Sequence, residues 1–569
     1  MGLKLKVETQ NSKVGIGYKQ NSWCFFKLKS ENQNLKSVFY NPLIFKVLML
    51  LIFNLKLSIC FSQFNPQSKI IAEKFFPELE LEISTPAFQK TSGFTNYKEM
   101  MDWLDKTIKP HSELVNLSFI GESQKGKAIP MLVMTRKNQK PKTKVWMQGG
   151  LHGDEPAGTE AMLYLIDKLL NDPKMSGLLD DLEIAIVPMA NIDGYEKQHR
   201  ESANGMDLNR DQTRLKAPES ISLKSAFSTF HAAVALDFHE YRPYRKHFTR
   251  MGQAGITSRY DAMFLYSGNL NVPKVLRDFT KQTFVKNAEK VMDDNKLIHH
   301  DYITTQKYGG QVQFNLGSVH SRSSASNFAL ANCVSTLLEI RGVGVGRMSF
   351  KRRVKSSFLI ALSYLETAQK EKVTLVKVLA EAANTNQPVV VISERLTRKD
   401  SILVIDLASE KEEKMSVTIH DALQSKPSLQ RERPKAYILS VSEKKAASKL
   451  RILGLKVDSL QEEKELEVES YQTSIIESAE ESEEAEGGEK GDSEEDTDSK
   501  QASANTKVIK MKFTKGSYVV YTQQDRANLA CEVLEPENAN GFVMMKVVKA
   551  NSNQEIPIYR YMQSEKITP

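Results

Sequence analysis

Short apolar runs alternate with amphipathic stretches through the middle of this chain, and that alternation predicts a layered α/β domain. Residues 96–108 (NYKEMMDWLDKTI) carry apolar positions at helical spacing. Residues 128–135 and 144–148 read as strands, and residues 156–170 as an amphipathic helix with Asp154 placed to cap it and Pro156 in its first turn. Residues 182–189, 233–238 and 335–340 are nearly all-apolar strands. Strands of that kind are buried on both faces, which favours a mixed sheet covered by helices. A helical stretch over 357–384 closes this part of the chain.

The pattern changes near residue 386. Runs such as PVVVIS, SILVIDLA, KMSVTIHD and KAYILSV are β-rich, with one helix over 446–453. Between Glu477 and Asp498, 12 of 22 residues are Asp or Glu, a composition that cannot bury a core. The β pattern then resumes with GSYVVYT, GFVMMKVV and IPIYRYM. The expected organisation is a presequence over 1–62, an α/β domain over 63–385 and a β-rich C-terminal domain. That last domain is split into 386–476 and 506–569 by a disordered acidic insertion at 477–505.

Charge adds one correction to this outline. The formal net charge of +8 invites a nucleic-acid reading, but residues 1–62 hold nine Lys and two Glu. The other 507 residues carry only about +1, so no basic face for nucleic acid is indicated. Residues 43–62 (LIFKVLMLLIFNLKLSICFS) resemble a secretory signal, with Lys46 before an apolar run and the small residues Cys60 and Ser62 before Gln63. Asn54 and Lys56 interrupt the run, which makes it a poor membrane span. On this reading translation starts near Met49 or slightly upstream. An uncleaved anchor is the alternative, and would be the chain's one link to a membrane. Beyond the presequence only Cys333 and Cys531 remain, too few for a disulfide framework.

Candidate chemistry begins where a strand ends. Residues 145–155 (VWMQGGLHGDE) place His152 and Glu155 three residues apart after a glycine turn, close enough to reach one metal ion. Alone, that spacing is near chance in a chain with ten His. Further candidates follow at or just after other strand ends, where α/β sheets hold their ligands. They are NIDGY at 191–195, Arg200, NGMDLNR at 204–210, His239 in ALDFHE and Glu339 in TLLEIR. Taken singly, His239 reads better as a core histidine. A carboxylate inside the apolar run TLLEI is costly unless it is paired or functional.

The ordered set HGDE, NIDGY, Arg200, NGMDLNRD, DFHE and TLLEIRG resembles the zinc carboxypeptidase family, the carboxypeptidase A-like metallopeptidases, over roughly residues 92–370, and the C-terminal runs RERPKAYIL, KGSYVVYTQQDRANLACEVLEPE and IPIYRYM more loosely resemble the β-rich tail of some bacterial secreted members. The resemblance implies that His152, Glu155 and His239 bind one Zn2+ per chain, leaving a fourth position for water. It implies Glu339 as general base and Arg200 as the group that polarises the scissile carbonyl. Asn209 and Arg210 would grip the substrate's terminal carboxylate, and Asp207 would orient His152. Zinc makes water available as a nucleophile near neutral pH, and a guanidinium fork matches a carboxylate. The family's substrate-binding tyrosine has no counterpart at the usual spacing from Glu339; Tyr302 and Tyr308 lie too far upstream, and Phe328 stands where a tyrosine is expected.

The expected function is therefore a secreted or cell-surface zinc metallocarboxypeptidase acting on peptide or protein C-termini. Two other readings remain open. One is a zinc amidase on cell-wall peptides, or a deacylase, on the same scaffold. The other is a non-enzymatic surface binding protein.

Overall fold

A computed structural model describes residues 68–476, 502–550 and 554–567. The signal-like segment at 43–62 and residues 477–501 of the acidic insertion lie outside the described residues; 502–505 begin a strand. The first eleven strands are β1 (Val115–Glu122), β2 (Ala128–Met134), β3 (Thr143–Gly149), β4 (Leu182–Val187), β5 (Val234–Tyr241), β6 (Ile256–Ser258), β7 (Ala262–Leu265), β8 (His299–Asp301), β9 (Ile303–Tyr308), β10 (Gln311–Leu316) and β11 (Val334–Arg341). Eight of them form one mixed sheet in the order β1-β2-β4-β3-β5-β11-β7-β8. Its centre, β4-β3-β5-β11, is parallel, and both flanks turn antiparallel. The centre is also where the all-apolar runs fall, and every residue of β5 is buried.

The helices that shape the site are α1 (Tyr97–Ile108), α2 (Pro156–Asn171), α3 (Pro218–Phe230), α4 (Ser324–Leu330), α5 (Phe350–Lys370), α6 (Lys372–Ala383) and α7 (Ala527–Leu534). A full capping box starts α1: Asn96 accepts from the Glu99 amide, and the Glu99 carboxylate accepts from the Asn96 amide. Thirteen of the sixteen residues of α2 are buried, because it lies between the sheet and α5. Its close approach depends on Gly158, where a Cβ would stand 2.7 Å from the Phe238 carbonyl oxygen. Asp154 does not cap this helix. Glu155 occupies the cap position without a side-chain capping bond, and its carboxylate turns instead toward two histidines. The helical stretch expected over 357–384 is two helices, α5 and α6, separated at Glu371.

The β-rich segment continues the earlier part of the chain. Its apolar runs merge into two long strands, β12 (Val389–Asp406) and β13 (Lys411–Arg431). This hairpin pairs with β6 on one side and β10 on the other, giving a five-stranded sheet. A third, six-stranded sheet is made from β14 (Ala436–Leu439), β15 (Asp458–Ser459), β16 (Lys464–Ile476), β17 (Ala502–Phe513), β18 (Tyr518–Tyr521) and β19 (Glu555–Tyr561). The largest apolar core runs without a break from Met100 through Phe238 to Cys531 and Ile558. Cys333 and Cys531 are both buried free thiols. Among the described residues, no helix is long and apolar enough to cross a membrane.

Candidate active site

Three adjacent parallel strands, β3, β5 and β11, deliver the central groups at or beyond their C-terminal ends. His152 and Glu155 follow β3, His239 is the sixth residue of β5, and Glu339 pairs in register with His239 from β11. The turn carrying His152 packs on the NIDGY segment so closely that a Cβ at Gly153 would stand 2.1 Å from the Gly194 backbone. Asn191 makes that segment a brace. Its Oδ1 accepts from the Gly194 amide at 3.1 Å and its Nδ2 donates to the Arg200 carbonyl at 3.2 Å.

His152, Glu155 and His239 converge on one point. Glu155 Oε1 lies 2.7 Å from His152 Nδ1, Glu155 Oε2 lies 2.8 Å from His239 Nδ1, and the two Nδ1 atoms are 3.0 Å apart. All three residues are buried, and their donor atoms lie within the span of a single ion. Two imidazole nitrogens facing each other so closely cannot both carry hydrogens comfortably. Two nitrogens and one carboxylate are the donor set zinc takes in catalytic sites, so the residues fit the ion. Each imidazole also has a carboxylate behind it. His152 Nε2 is 3.0 Å from Asp207 Oδ1, and His239 Nε2 is 3.0 Å from Asp237 Oδ2. Such partners fix the tautomer and ring orientation of metal-binding histidines.

The electrostatics follow from burial and from this crossing of charges. Burial pushes Glu155 upward, but His152 and His239 outweigh it and hold the carboxyl below its usual range. Burial lowers the basicity of His239, yet Asp237 and Glu155 raise it well above the ordinary histidine value. Asp207 is raised by burial and pulled down further by Arg200 and His152, ending well below normal. Glu339 differs from the other two. Burial and then the negative charge of Glu155 push it up to about 7, the range in which a carboxylate can take and return protons at neutral pH.

Arg200 donates through Nε and Nη2 to Asp207 Oδ2 at 3.1 and 2.8 Å. Its Nη1 lies 3.6 Å from Glu155 Oε1. Asp207 therefore serves both His152 and Arg200. Its Oδ1 also accepts from the Asn209 amide at 2.8 Å, which fixes the turn carrying Asn209 and Arg210. Asn209 Oδ1 accepts from the Ser324 amide at the start of α4, leaving the Nδ2 donor for the cleft. Arg200, Asn209 and Arg210 line the same small polar cleft as His152 and Glu339. All eight residues singled out from the sequence are thus brought together.

Several groups at the site escaped sequence reasoning. Asp237 stands two residues before His239 on the same face of β5, so strand periodicity could have flagged it. Arg245 and Ser323 line the cleft but come from turns with no pattern of their own. Tyr302, set aside on spacing, lines the cleft as well. Tyr308 instead bonds Asn315 and stacks on His420. Phe328 is a core residue on α4, packed on Phe227 with ring centroids 4.3 Å apart.

Residues 100–233 match the family model described as zinc carboxypeptidase. Carboxypeptidase 2 of Trichophyton rubrum is 25% identical over 484 residues, covering 83% of this chain and 87% of that protein. Carboxypeptidase M of Mus musculus is 27% identical over 168 residues, covering 25% of this chain and 38% of that protein. Among solved structures, carboxypeptidase A from Helicoverpa armigera aligns with a TM-score of 0.38 at 18% identity, over 53% of this chain and 80% of that one.

Proposed function

We propose that this protein, a zinc metallocarboxypeptidase by its domain and its relatives, releases residues from peptide C-termini through a site built on His152, Glu155 and His239. The observation that carries the assignment is the shared cleft. His152, one member of the three-residue cluster, lines one space together with the raised carboxyl of Glu339 and the Arg200, Asn209 and Arg210 donors.

His152, Glu155 and His239 would hold one zinc ion per chain, and the ion would supply Lewis acidity that makes water available as a nucleophile near neutral pH. Glu339 accepts the proton of the attacking water and returns it to the departing amine. Arg200, held flat by its paired bonds to Asp207, stabilises the negative charge that develops on the carbonyl oxygen. Arg210 and the Asn209 amide bind the terminal carboxylate, which restricts cutting to chain ends. Asp207 is hydrogen-bonded to His152 and orients it, while Asp237 sets a counter-charge 3.0 Å from His239. The signal-like tract at 43–62 supports delivery outside the cell.

The test is a mass-spectrometric ladder on peptides with a free or an amidated C-terminus. The free peptide loses residues one at a time in a zinc-dependent manner, and the amide is refractory. Internal cuts, or efficient cutting of the amide, would remove Arg210 from its role.

A further inference from the structure

Helix α2 begins without a side-chain cap of its own. Pro156, its first residue, has no amide hydrogen, so the Ala157 amide is the first donor that the helix leaves without an internal partner. The residue at the cap position ordinarily meets such a donor with its side chain. Here that residue is Glu155, and its carboxylate is turned to His152 and His239. The Ala157 amide donates instead to Glu240 Oε2 at 2.9 Å, near the end of β5. Glu240 reaches Glu155 directly as well, because its backbone amide donates to Glu155 Oε2 at 3.1 Å.

The Glu240 carboxylate is itself held. Arg353 of α5 donates through Nε to Oε1 at 2.7 Å, and its Nη2 lies 2.6 Å from the same oxygen. Arg353 Nη1 donates to the Gly346 carbonyl at 2.6 Å, which fixes the guanidinium from another side. Both charged residues are buried. The carboxylate lies against Gly342, where a Cβ would stand 1.7 Å from Oε1. The adjacent Arg352 makes a matched pair. It donates through Nε and Nη2 to Asp261 at 2.6 and 3.0 Å, and both of these residues are buried too. Asp261 Oδ2 also accepts from the Ile298 amide at 2.9 Å, and among the described residues it makes no bond to α2.

We infer that Glu240, steadied by Arg353, is a positioning residue for Glu155; the inference rests on the metallocarboxypeptidase reading above. Glu240 takes over the capping of α2, so the nearest helix amide does not draw the Glu155 carboxylate back from the histidines. Two buried carboxylates so close repel each other, and the Arg353 guanidinium offsets that repulsion. With Glu240 gone, the Ala157 amide competes with the histidines for Glu155, and the hold on zinc weakens as it does when other groups behind metal ligands are removed.

The experiment uses the full chain and reads zinc affinity by competition with a chelator, beside the thermal midpoint of the zinc-free protein. The double variant E240L/R353M removes the pair without leaving either charge buried alone. It weakens zinc binding by about tenfold or more. G342A crowds the Glu240 carboxylate without changing any charge and shifts zinc affinity the same way, by about tenfold. D261L/R352M removes the matched pair and keeps zinc affinity at the level of the unaltered chain, whatever it does to the thermal midpoint. Unaltered zinc affinity in E240L/R353M and G342A overturns the inference and spares the metallocarboxypeptidase reading. An equal loss in D261L/R352M overturns it too, because the effect then follows stability and not Glu155. If E240L/R353M does not fold, G342A decides alone by the same criterion. An unaltered chain that binds no zinc overturns the functional reading itself.

Discussion

The two walls of the cleft are built in different ways. On the metal side, every group hangs from three neighbouring parallel strands, and the register Glu339 against His239 sets the spacing directly. On the substrate side, the groups come from turns that long-range contacts hold in place. The segment at 318–323 is fixed from below by Asn269, whose Nδ2 donates to the Val319 carbonyl at 2.8 Å and to Glu532 Oε1 at 2.9 Å. Asn271 Nδ2 reaches Glu532 Oε2 at 2.8 Å, and Asn540 Nδ2 lies 3.2 Å from His320 Nδ1. Glu532 belongs to α7, more than two hundred residues along the chain from the turns it holds. A sheet edge positions reactive groups by covalent geometry and ladder bonds. A wall of turns needs its rigidity supplied from elsewhere, here by the C-terminal segment.

The largest effect should come from the metal side. Glu339→Gln keeps the shape of the residue and removes its ability to take a proton, so hydrolysis should fall by about 10³-fold. Zinc content measured by atomic absorption should remain one per chain. Activity within tenfold of the parent would give the proton transfer to another group.

Next come the carboxylates behind the histidines. Asp237→Asn and Asp207→Asn should each weaken zinc binding by about 10- to 100-fold, read by competition with a chelator. They separate in a second readout. Asp207 also holds Arg200, so saturating zinc should restore turnover to Asp237→Asn and leave Asp207→Asn slow. Equal recovery of both would mean that Arg200 does not depend on Asp207 for its position.

Those two aspartates also mark how far the sequence could be read. Asp207 was visible because it sits in NGMDLNR, between groups already suspected. Asp237 was missed, although the period of a strand could have flagged it. The central sheet and its covering helices were legible for the same reason, since their apolar runs follow the local periods of strand and helix. The β12–β13 hairpin joining β6 and β10 was not, because pairing partners leave no trace in a strand's own pattern. Arg245, Ser323 and Tyr302 were hidden likewise. A polar residue in a turn looks the same whether it meets solvent or lines a cleft, and only the fold distinguishes the two. Phe328 shows the converse error: judged by its distance along the chain from Glu339 it stood for a tyrosine, yet α4 turns it into the core.

A smaller effect tests the substrate wall. Glu532 is buried, which raises its carboxyl above the usual range even though amide donors surround it. Glu532→Ala leaves those donors unpaired at a cost of about 1–3 kcal/mol. The variant should raise KM by about tenfold, with kcat and zinc content near the parent values. A fall in kcat with KM unchanged would place the C-terminal segment's influence on the metal side instead.

The smallest effect concerns Lys224, which ties α3 to α4. Its side chain on α3 is buried; Nζ donates to Asn327 Oδ1 on α4 at 2.7 Å and lies over the Phe328 ring. Burial and then the nearby charge of Arg526 push its pKa down to about 7, against a partial counter-pull from Asp237. An unfolded lysine titrates near 10.4. Between these values the unfolded chain binds the extra proton, so Lys224 makes stability rise with pH from about 7 to about 10. Below that window the folded protein carries the full cost of a buried ammonium, and above it the cost is gone in both states. Lys224→Met removes the slope. It also leaves Asn327 Oδ1 without its donor, a loss of about 1 kcal/mol that does not vary with pH. Denaturant midpoints at pH 7, 8.5 and 10 should therefore diverge, the parent gaining on the variant as pH rises. Parallel curves would mean that Lys224 stays charged in the fold and that α4 is held to α3 by an ion, not by a neutral amine.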